Sequence, residues 1–526
     1  MVINEYKLTA NPSTEELNRS YQSRSLNGRN QSIFIRYKWF ILSLISFLII
    51  TALTLCIVFL VIIPKQQNQS NNFMPTLVEI NSNGLVEKPD LTIIPKDLGE
   101  FNDNISPNKN TPALNQVFEY GKMKIRGVNL GGWLVPEPFI VPSIYEDKID
   151  EGVLDEWTLC ETIGKKECTK RLIKHYETFL TEEDIKIIRD AGLNHVRIPI
   201  GYWMIDNQDN ENFIYGSWKY LLRGLQWCRK YGIRVMIDFH AAPGSQNGWN
   251  HSGRFGDIRF LNKNFTESEG NVKRFSNILL QVVDYFSTPE WNNLVTQIGV
   301  LNEPAVYKTH DQIGILNFYK QIYESVRKNR NNDNNLPLLV YHEGFLGLDK
   351  WHNKMPKENF KNIVLDSHNY IIFAKELISK SLNDINDFPC TAWAKDFTTS
   401  SEKFGWTMCG EFSVASNDCG KWLNGIKLGS RYDGTYDGDS AICEQCSCEG
   451  KDDVSKFTNE YKQFLKQFAE KQMDAFENGI GWYFWNFKTE NHINPHWDYF
   501  LGLKEGWMPK DASKRTYSCK QTLEKS

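Results

Sequence analysis

Basic residues hold no majority in this chain. Lys and Arg number 60 against 64 Asp and Glu, a net charge of −4, so a broadly basic surface for nucleic acid is excluded. No Gly-x-Gly-x-x-Gly follows the first strand candidate, which removes the phosphate turn that an open dinucleotide-binding sheet needs. No internal repeat is visible. The polar excess of a disordered protein is also missing, since 41% of residues are hydrophobic and 24% charged. Aromatic side chains, by contrast, are abundant at 13%, with 16 Trp, 22 Tyr and 31 Phe. Sugar-binding clefts use such an excess, and so do large cores. At about 150 residues per domain, 526 residues suggest three or four domains, although a barrel runs past 250 residues as one.

Residues 39–63 are uncharged and mostly Ile, Leu, Phe and Val. As a helix this run is about 37 Å long, enough to cross a hydrocarbon core of about 30 Å. It is too long for a signal-peptide core, and no small-residue cleavage site follows. It reads as an uncleaved signal anchor in contact with the bilayer. Before it lie six basic residues against three acidic ones, so residues 1–38 are expected in the cytoplasm. The rest, at −7, is then extracellular or lumenal, as in a single-pass type II cell-membrane protein. Residues 64–115 are rich in Asn, Pro, Ser and Gln and read as a polar stalk, or as a wrap on the domain surface near Phe118. Residues 116–526 are left for one domain.

Cysteine usage agrees with an oxidising compartment. Of 11 Cys, Cys56 falls in the span, and the other ten permit up to five disulfides. Cys160 and Cys168 are close enough for a local bridge. Cys443, Cys446 and Cys448 are too clustered to pair together. Their spacing looks like a metal site, but no His cluster is nearby, and neither metal nor cofactor is expected. Cys228 and Cys409 lie in apolar runs and are expected as buried free thiols. Glycosylation sequons occur at Asn68, Asn104, Asn250 and Asn264, with Asn104 and Asn264 favoured.

From residue 120, strand and helix alternate. The strand candidates are Lys124–Asn129, His195–Pro199, Arg234–His240, Gln297–Asn302, Pro337–Tyr341, Ile363–His368, Thr407–Glu411 and Ile480–Phe487. Thr181 with Asp184 three residues on is a capping-box variant. Eight such units over roughly 400 residues predict a TIM (β/α)8 barrel with long loops. A doubly wound open sheet is the alternative. In a barrel, chemistry sits at the C-terminal strand ends. There the sequence places Glu137, Arg197, His240, Asn302, Glu303, His342, Glu343, His368, Tyr370, Glu411, Asn486, Phe487 and Glu490. Two Glu at strand ends beside aromatic-rich loops suit glycoside hydrolysis, which needs two carboxylates flanking a sugar.

The motifs carry a specific resemblance. Asn302-Glu303-Pro304 and Gly410-Glu411-Phe412-Ser413 resemble the acid/base and nucleophile strands of glycoside hydrolase family five. The runs Arg126–Trp133, Val196–Trp203, Ala242–Gly248 and Lys488–Asn491 resemble the fungal exo-β-1,3-glucanases of that family. The likeness covers about residues 120 to 525, and the anchor resembles its type II membrane members. It implies a monomeric retaining enzyme that releases glucose from the non-reducing end of β-1,3-glucan during wall remodelling. Glu411 would be nucleophile and Glu303 general acid/base, its pKa raised by Glu411 and by burial. Asn302 would bind the sugar 2-hydroxyl. Tyr370 and Arg197 would hold Glu411, while Glu137, His240 and His368 would bind glucose hydroxyls. Trp249 and Phe373 would clamp the next glucose, the first replacing a usual Phe.

One departure stands out. The family usually places Trp, the platform under the first sugar, where this chain has Phe487. Trp485 lies two residues earlier, on the same strand face. Alternatives therefore stay open: β-1,6-glucan or glucosyl-lipid hydrolysis, transglycosylation, or glucan binding without catalysis. The resemblance also implies bridges from Cys390 to Cys519, and from Cys419 to Cys443 or Cys446.

Overall fold

The computed structural model describes residues 77–524 apart from 96–97, 328–334, 437 and 439. The run 39–63, the tail before it, Cys56 and Asn68 lie outside the described residues. Among the described residues, no helix is long and apolar enough to cross a membrane.

Eight short apolar runs form β1 (Ile125–Asn129), β2 (His195–Gly201), β3 (Arg234–Ala241), β4 (Val295–Gly299), β5 (Leu338–His342), β6 (Ile363–Asn369), β7 (Thr407–Phe412) and β8 (Gly481–Phe484). They pair in sequence order into a closed barrel. β1 lies parallel to both β2 and β8, so it has no free edge and the open-sheet alternative falls. Helices cover the outer face, including Ser217–Tyr231 after β2, Ser268–Phe286 after β3, Gln312–Arg327 after β4 and Asn459–Phe476 after β7. With both faces covered, a parallel strand reads as a continuous apolar run. All of β2 and β3 is accordingly buried. Thr181 caps the helix Glu182–Asp190, and Asp184 returns a bond to its backbone, as its capping box predicts.

Two strands end earlier than their apolar runs suggested. β4 stops at Gly299 and β8 at Phe484, because the chain beyond turns to other partners. Asn302 N–H donates to the Phe239 carbonyl on β3, and Phe487 N–H to the Asn129 carbonyl on β1. The register of β6 on β7 also shifts between Ser367 and His368, bringing His368 opposite Glu411. Such irregularities re-aim side chains next to active sites.

The stretch expected as a stalk through residue 115 is packed on the barrel from residue 77 onward. Val78, Leu114 and Phe118 are buried. Asp103 pairs with buried Arg229, whose guanidinium also lies over the Phe101 ring. Arg234 donates to the carbonyls of Pro112, Ala113 and Gln116. A polar composition concealed this, because the segment is held by a few apolar anchors and by two arginines of the barrel itself.

Bridges join Cys160 to Cys168 and Cys390 to Cys519. Cys419, however, pairs with Cys448, while Cys443 and Cys446 bridge each other. The correction has a local cause. The Cys446 N–H donates to the Cys443 carbonyl, closing a turn that occupies both thiols. Asp418 meanwhile accepts from Ser430 Oγ and from the N–H groups of Arg431 and Tyr432. That folds the loop back so that Cys448 reaches Cys419. Cys228 and Cys409 are free and buried.

Candidate active site

The C-terminal ends of the strands converge on Arg197, which stands fully buried in β2. A buried guanidinium requires partners for its charge and its fork of N–H groups. Nη1 donates to Glu411 Oε1 at 2.8 Å and to Asn129 Oδ1 at 2.8 Å. Nη2 donates to Asn302 Oδ1 at 2.6 Å and pairs with Asp238 Oδ2 at 3.0 Å. The charges of Asp238, Glu411 and Asp366 push its pKa up despite burial. Arg197 thus ties β1, β3, the loop after β4 and β7 to one point. Because Asn302 Oδ1 is taken, only its Nδ2 is left to donate, and that atom has no partner among the described residues.

Glu411 is gripped at both oxygens, with Oε2 accepting from Tyr370 OH at 2.9 Å. Glu303 follows at the turn after β4 with φ of 48°. That left-handed conformation costs a non-glycine residue free energy and concentrates at functional sites. His368 Nδ1 lies 2.7 Å from Glu303 Oε1 and 3.4 Å from Glu411 Oε2. One nitrogen therefore reaches both carboxylates and limits these two oxygens to a separation of about 6 Å. A ceiling of this size on the nearest oxygens admits the about 5–5.5 Å of a retaining pair.

Protonation departs from the expectation for Glu303. Burial opposes ionisation, but the hydrogen bond and charge of His368 prevail and hold the Glu303 carboxyl below its ordinary range. His368 is raised, since the charges of Glu411 and Asp366 outweigh its burial. Burial raises Glu411, and raises Glu137 well above the carboxylate range, with Glu411 and Glu303 adding to the latter. Both shifts favour an ionised Glu303 beside a protonated His368. Sequence reasoning had no means of seeing that His368 would sit on Glu303 rather than face the sugar.

A small open cavity lies above these groups. Glu137, His240, Glu303, Tyr370, Phe373 and Glu411 line it. His240 is fixed by Asp238 at 2.9 Å. Arg197 and Asn302 are buried with the network around the carboxylates, and the His368 side chain is fully enclosed. His368 is not part of the cavity lining.

Two aromatic expectations also change. Phe487 is 1% exposed and stacks on Phe500 at 5.8 Å, because its backbone turns toward β1. Trp485 lines the cavity instead, parallel to the His240 ring at 5.5 Å and 4°. Trp249 is not part of the lining. It packs edge-on against Phe345 at 5.6 Å, with Lys308 Nζ over its ring at 4.5 Å. Phe373 is 47% exposed at the cavity and meets Tyr370 edge-on.

Other lining residues carried no motif. Trp422 and Leu423 come from the disulfide-bridged loop after β7, Trp497 from the loop after β8, and His251 from the loop after β3. Only the His in Asn250-His251-Ser252, near a recognisable glycine-rich run, could have drawn notice. Asn250 itself lines the cavity. Glu303, His342 and His368 offer ligand atoms within 4.8 Å of one another. His368 already faces carboxylates with both nitrogens, so the trio is read as a proton network.

An eight-stranded parallel barrel, with paired carboxylates and an aromatic-lined cavity at its C-terminal end, has the architecture of a barrel glycoside hydrolase. Residues 160–418 match the family described as Cellulase (glycosyl hydrolase family 5). The probable glucan 1,3-beta-glucosidase D of Aspergillus terreus is 40% identical over 434 residues, 80% of this chain and 50% of its own. The glucan 1,3-beta-glucosidase D of Emericella nidulans is 40% identical over 432 residues, with the same shares. The chain spans about half the length of these relatives. The crystal structure of rutinosidase from Aspergillus niger matches with a TM-score of 0.57 at 21% identity, covering 75% of this chain and 100% of that one, which supports the fold.

Proposed function

We propose that this protein is a retaining glucan 1,3-β-glucosidase that removes glucose from the non-reducing end of β-1,3-glucan. The observation that carries the reading is that one nitrogen of His368 reaches both carboxylates, Glu303 at 2.7 Å and Glu411 at 3.4 Å. The names of the relatives supply the linkage.

Glu411, held by Arg197 and aimed by Tyr370, attacks the anomeric carbon. The proton for the leaving oxygen comes from the Glu303–His368 unit. His368 holds it while water surrounds Glu303. A sugar that strips this water penalises the ion pair and moves the proton onto the carboxyl. Once Glu411 is a neutral ester, Glu303 deprotonates a water that releases β-glucose. Asn302 Nδ2 donates to the 2-hydroxyl, Glu137 and His240 hold further hydroxyls, and Trp485 provides the apolar platform. The anchor 39–63 holds the domain outside the cell membrane, facing wall glucan.

The test is product analysis on laminarin. Glucose should appear first as the β-anomer by NMR, and Glu303→Gln and Glu411→Gln should each be inactive. Full activity of Glu411→Gln would sink the assignment. Faster turnover of β-1,6 than of β-1,3 oligosaccharides would move the linkage.

A further inference from the structure

His251 faces Glu303 from the side opposite His368. It sits in the turn Asn250–Ser252 after β3 and lines the cavity. Its Nε2 lies 3.4 Å from Glu303 Oε2, while His368 Nδ1 occupies Oε1 at 2.7 Å. The two oxygens of the acid/base candidate thus each face an imidazole.

The turn is rigid. Ser252 Oγ bonds Ser245 Oγ at 2.7 Å and donates to the Trp249 carbonyl at 2.7 Å. Gly253 follows with φ of 77°, and a Cβ there would stand 2.4 Å from the Trp203 ring. The Gly253 carbonyl accepts from Trp157 N–H, and the Phe255 N–H donates to Asp155 Oδ2 at 2.5 Å. His251 is therefore presented to Glu303 by a backbone with no freedom to retreat.

His251 Nδ1 is buried and has no partner among the described residues. An orphaned N–H costs more than a bare acceptor nitrogen, so the proton belongs on Nε2, facing Glu303. Burial, with Lys308, His240 and His368 nearby, lowers the His251 pKa to about 4 against the pull of Glu303. At neutral pH the ring is uncharged and presents one N–H to Oε2.

We propose that His251 is a positioning residue for Glu303: its Nε2–H supports the carboxylate left on Oε2 after Glu303 releases its proton. In that step the Glu411 carboxylate forms a bond to the anomeric carbon. The carbon–oxygen bond breaks with its electron pair on the leaving oxygen, which takes the proton from Glu303. The emerging negative charge on Oε2 meets the His251 N–H, whose distance shortens as charge develops. A donor to the ionised form makes Glu303 the stronger acid and fixes its aim. This role rests on the acid/base reading of Glu303.

The experiment is the pH profile of kcat/KM on a laminari-oligosaccharide for the wild type, His251→Leu and His251→Gln, in the full chain. Without the N–H, Glu303 holds its proton more tightly, so the alkaline limb should move upward in His251→Leu. The rate should also fall about 10- to 100-fold, within the range of general acid–base effects. Gln, whose amide reaches about as far as Nε2, should return the limb toward wild type and recover at least part of the rate. A loss of rate in both variants with the limb unmoved would show that His251 only supports the loop, and would overturn the proposal. So would a wild-type rate and profile in His251→Leu. Full activity of Glu303→Gln would instead overturn the assignment of Glu303, leaving the two failures distinguishable. Melting temperatures of both variants report whether the turn has survived.

Discussion

Each end of the barrel holds carboxylates paired with arginine, and the two ends are built differently. At the N-terminal end, Glu477 just before β8 receives Arg515 at 2.8 Å on each oxygen and Arg126 at 2.9 Å on Oε1. Trp482 Nε1 donates to it as well. Every lone pair has a donor, and the carboxyl is lowered to about 2, the two arginines overcoming burial. At the C-terminal end, Glu137, Glu303, Glu411, Asp238 and Asp366 gather around one arginine and one shared histidine. Glu303 is lowered while Glu137 and Glu411 are raised, and Glu137 Oε1, Asn302 Nδ2 and His251 Nδ1 have no partner among the described residues. Saturated pairing supports the fold. Incomplete pairing leaves atoms for a ligand and protons that can move.

The widest separation of the two ends comes from removing the carboxylates. Glu411→Gln should lower kcat by at least about 10^3-fold with little change in melting temperature, since loss of a nucleophile or acid/base is large in rate. Glu477→Gln should do the reverse. It leaves two arginines without their anion and costs about 3–5 kcal/mol, read as a lowered melting temperature. The kcat of the folded enzyme should stay within about twofold. A loss of activity without loss of stability in Glu477→Gln would break the comparison.

Next in size is the aromatic pair. Trp485→Ala should lower kcat/KM about 10- to 100-fold at near-constant kcat in the folded fraction, by removing a stacking surface of about 1–3 kcal/mol. Phe487→Ala should cost about 3–5 kcal/mol of stability and have the smaller effect on sugar binding. Inverted results would restore Phe487 as the platform.

A pH series sharpens the bottom cluster. The Glu477 carboxyl is lowered from its ordinary 4.5 to about 2, so its contribution is complete above about 4.5 and disappears as pH falls toward 2. A shift of this size corresponds to about 3 kcal/mol. The melting-temperature gap between wild type and Glu477→Gln should be constant above about pH 5 and narrow below 4. The smallest effect is expected at the rim, where Phe373→Ala should raise KM for oligosaccharides only a few-fold, and less for aryl glucosides.

Much of this was legible in the chain. Parallel strands buried on both faces must be short, apolar and separated by helices, so eight such runs carry the barrel in their order. Asn302-Glu303-Pro304 follows one of these runs and Gly410-Glu411-Phe412-Ser413 closes another, and a strand end is where a polar side chain can face a ligand. The helix cap at Thr181 was equally local. What was not legible depended on contacts between loops distant in sequence. His251 and Trp422 reach the cavity from loops whose paths are fixed by hydrogen bonds and a disulfide, not by periodicity. Phe487 and Trp485 are two residues apart, and which of them faces the cavity depends on where β8 ends.

By itself, then, the sequence determined the alternation that closes the barrel, the two carboxylates at its mouth and the cysteines available for bridging, because each follows from local patterning. Only the tertiary structure decided which cysteines meet, that Val78, Leu114 and Phe118 pack on the barrel, and that His368 lies between the carboxylates. Those outcomes depend on through-space distances, and an ionisable group's proton affinity is set by whatever charges the fold brings within a few ångströms of it.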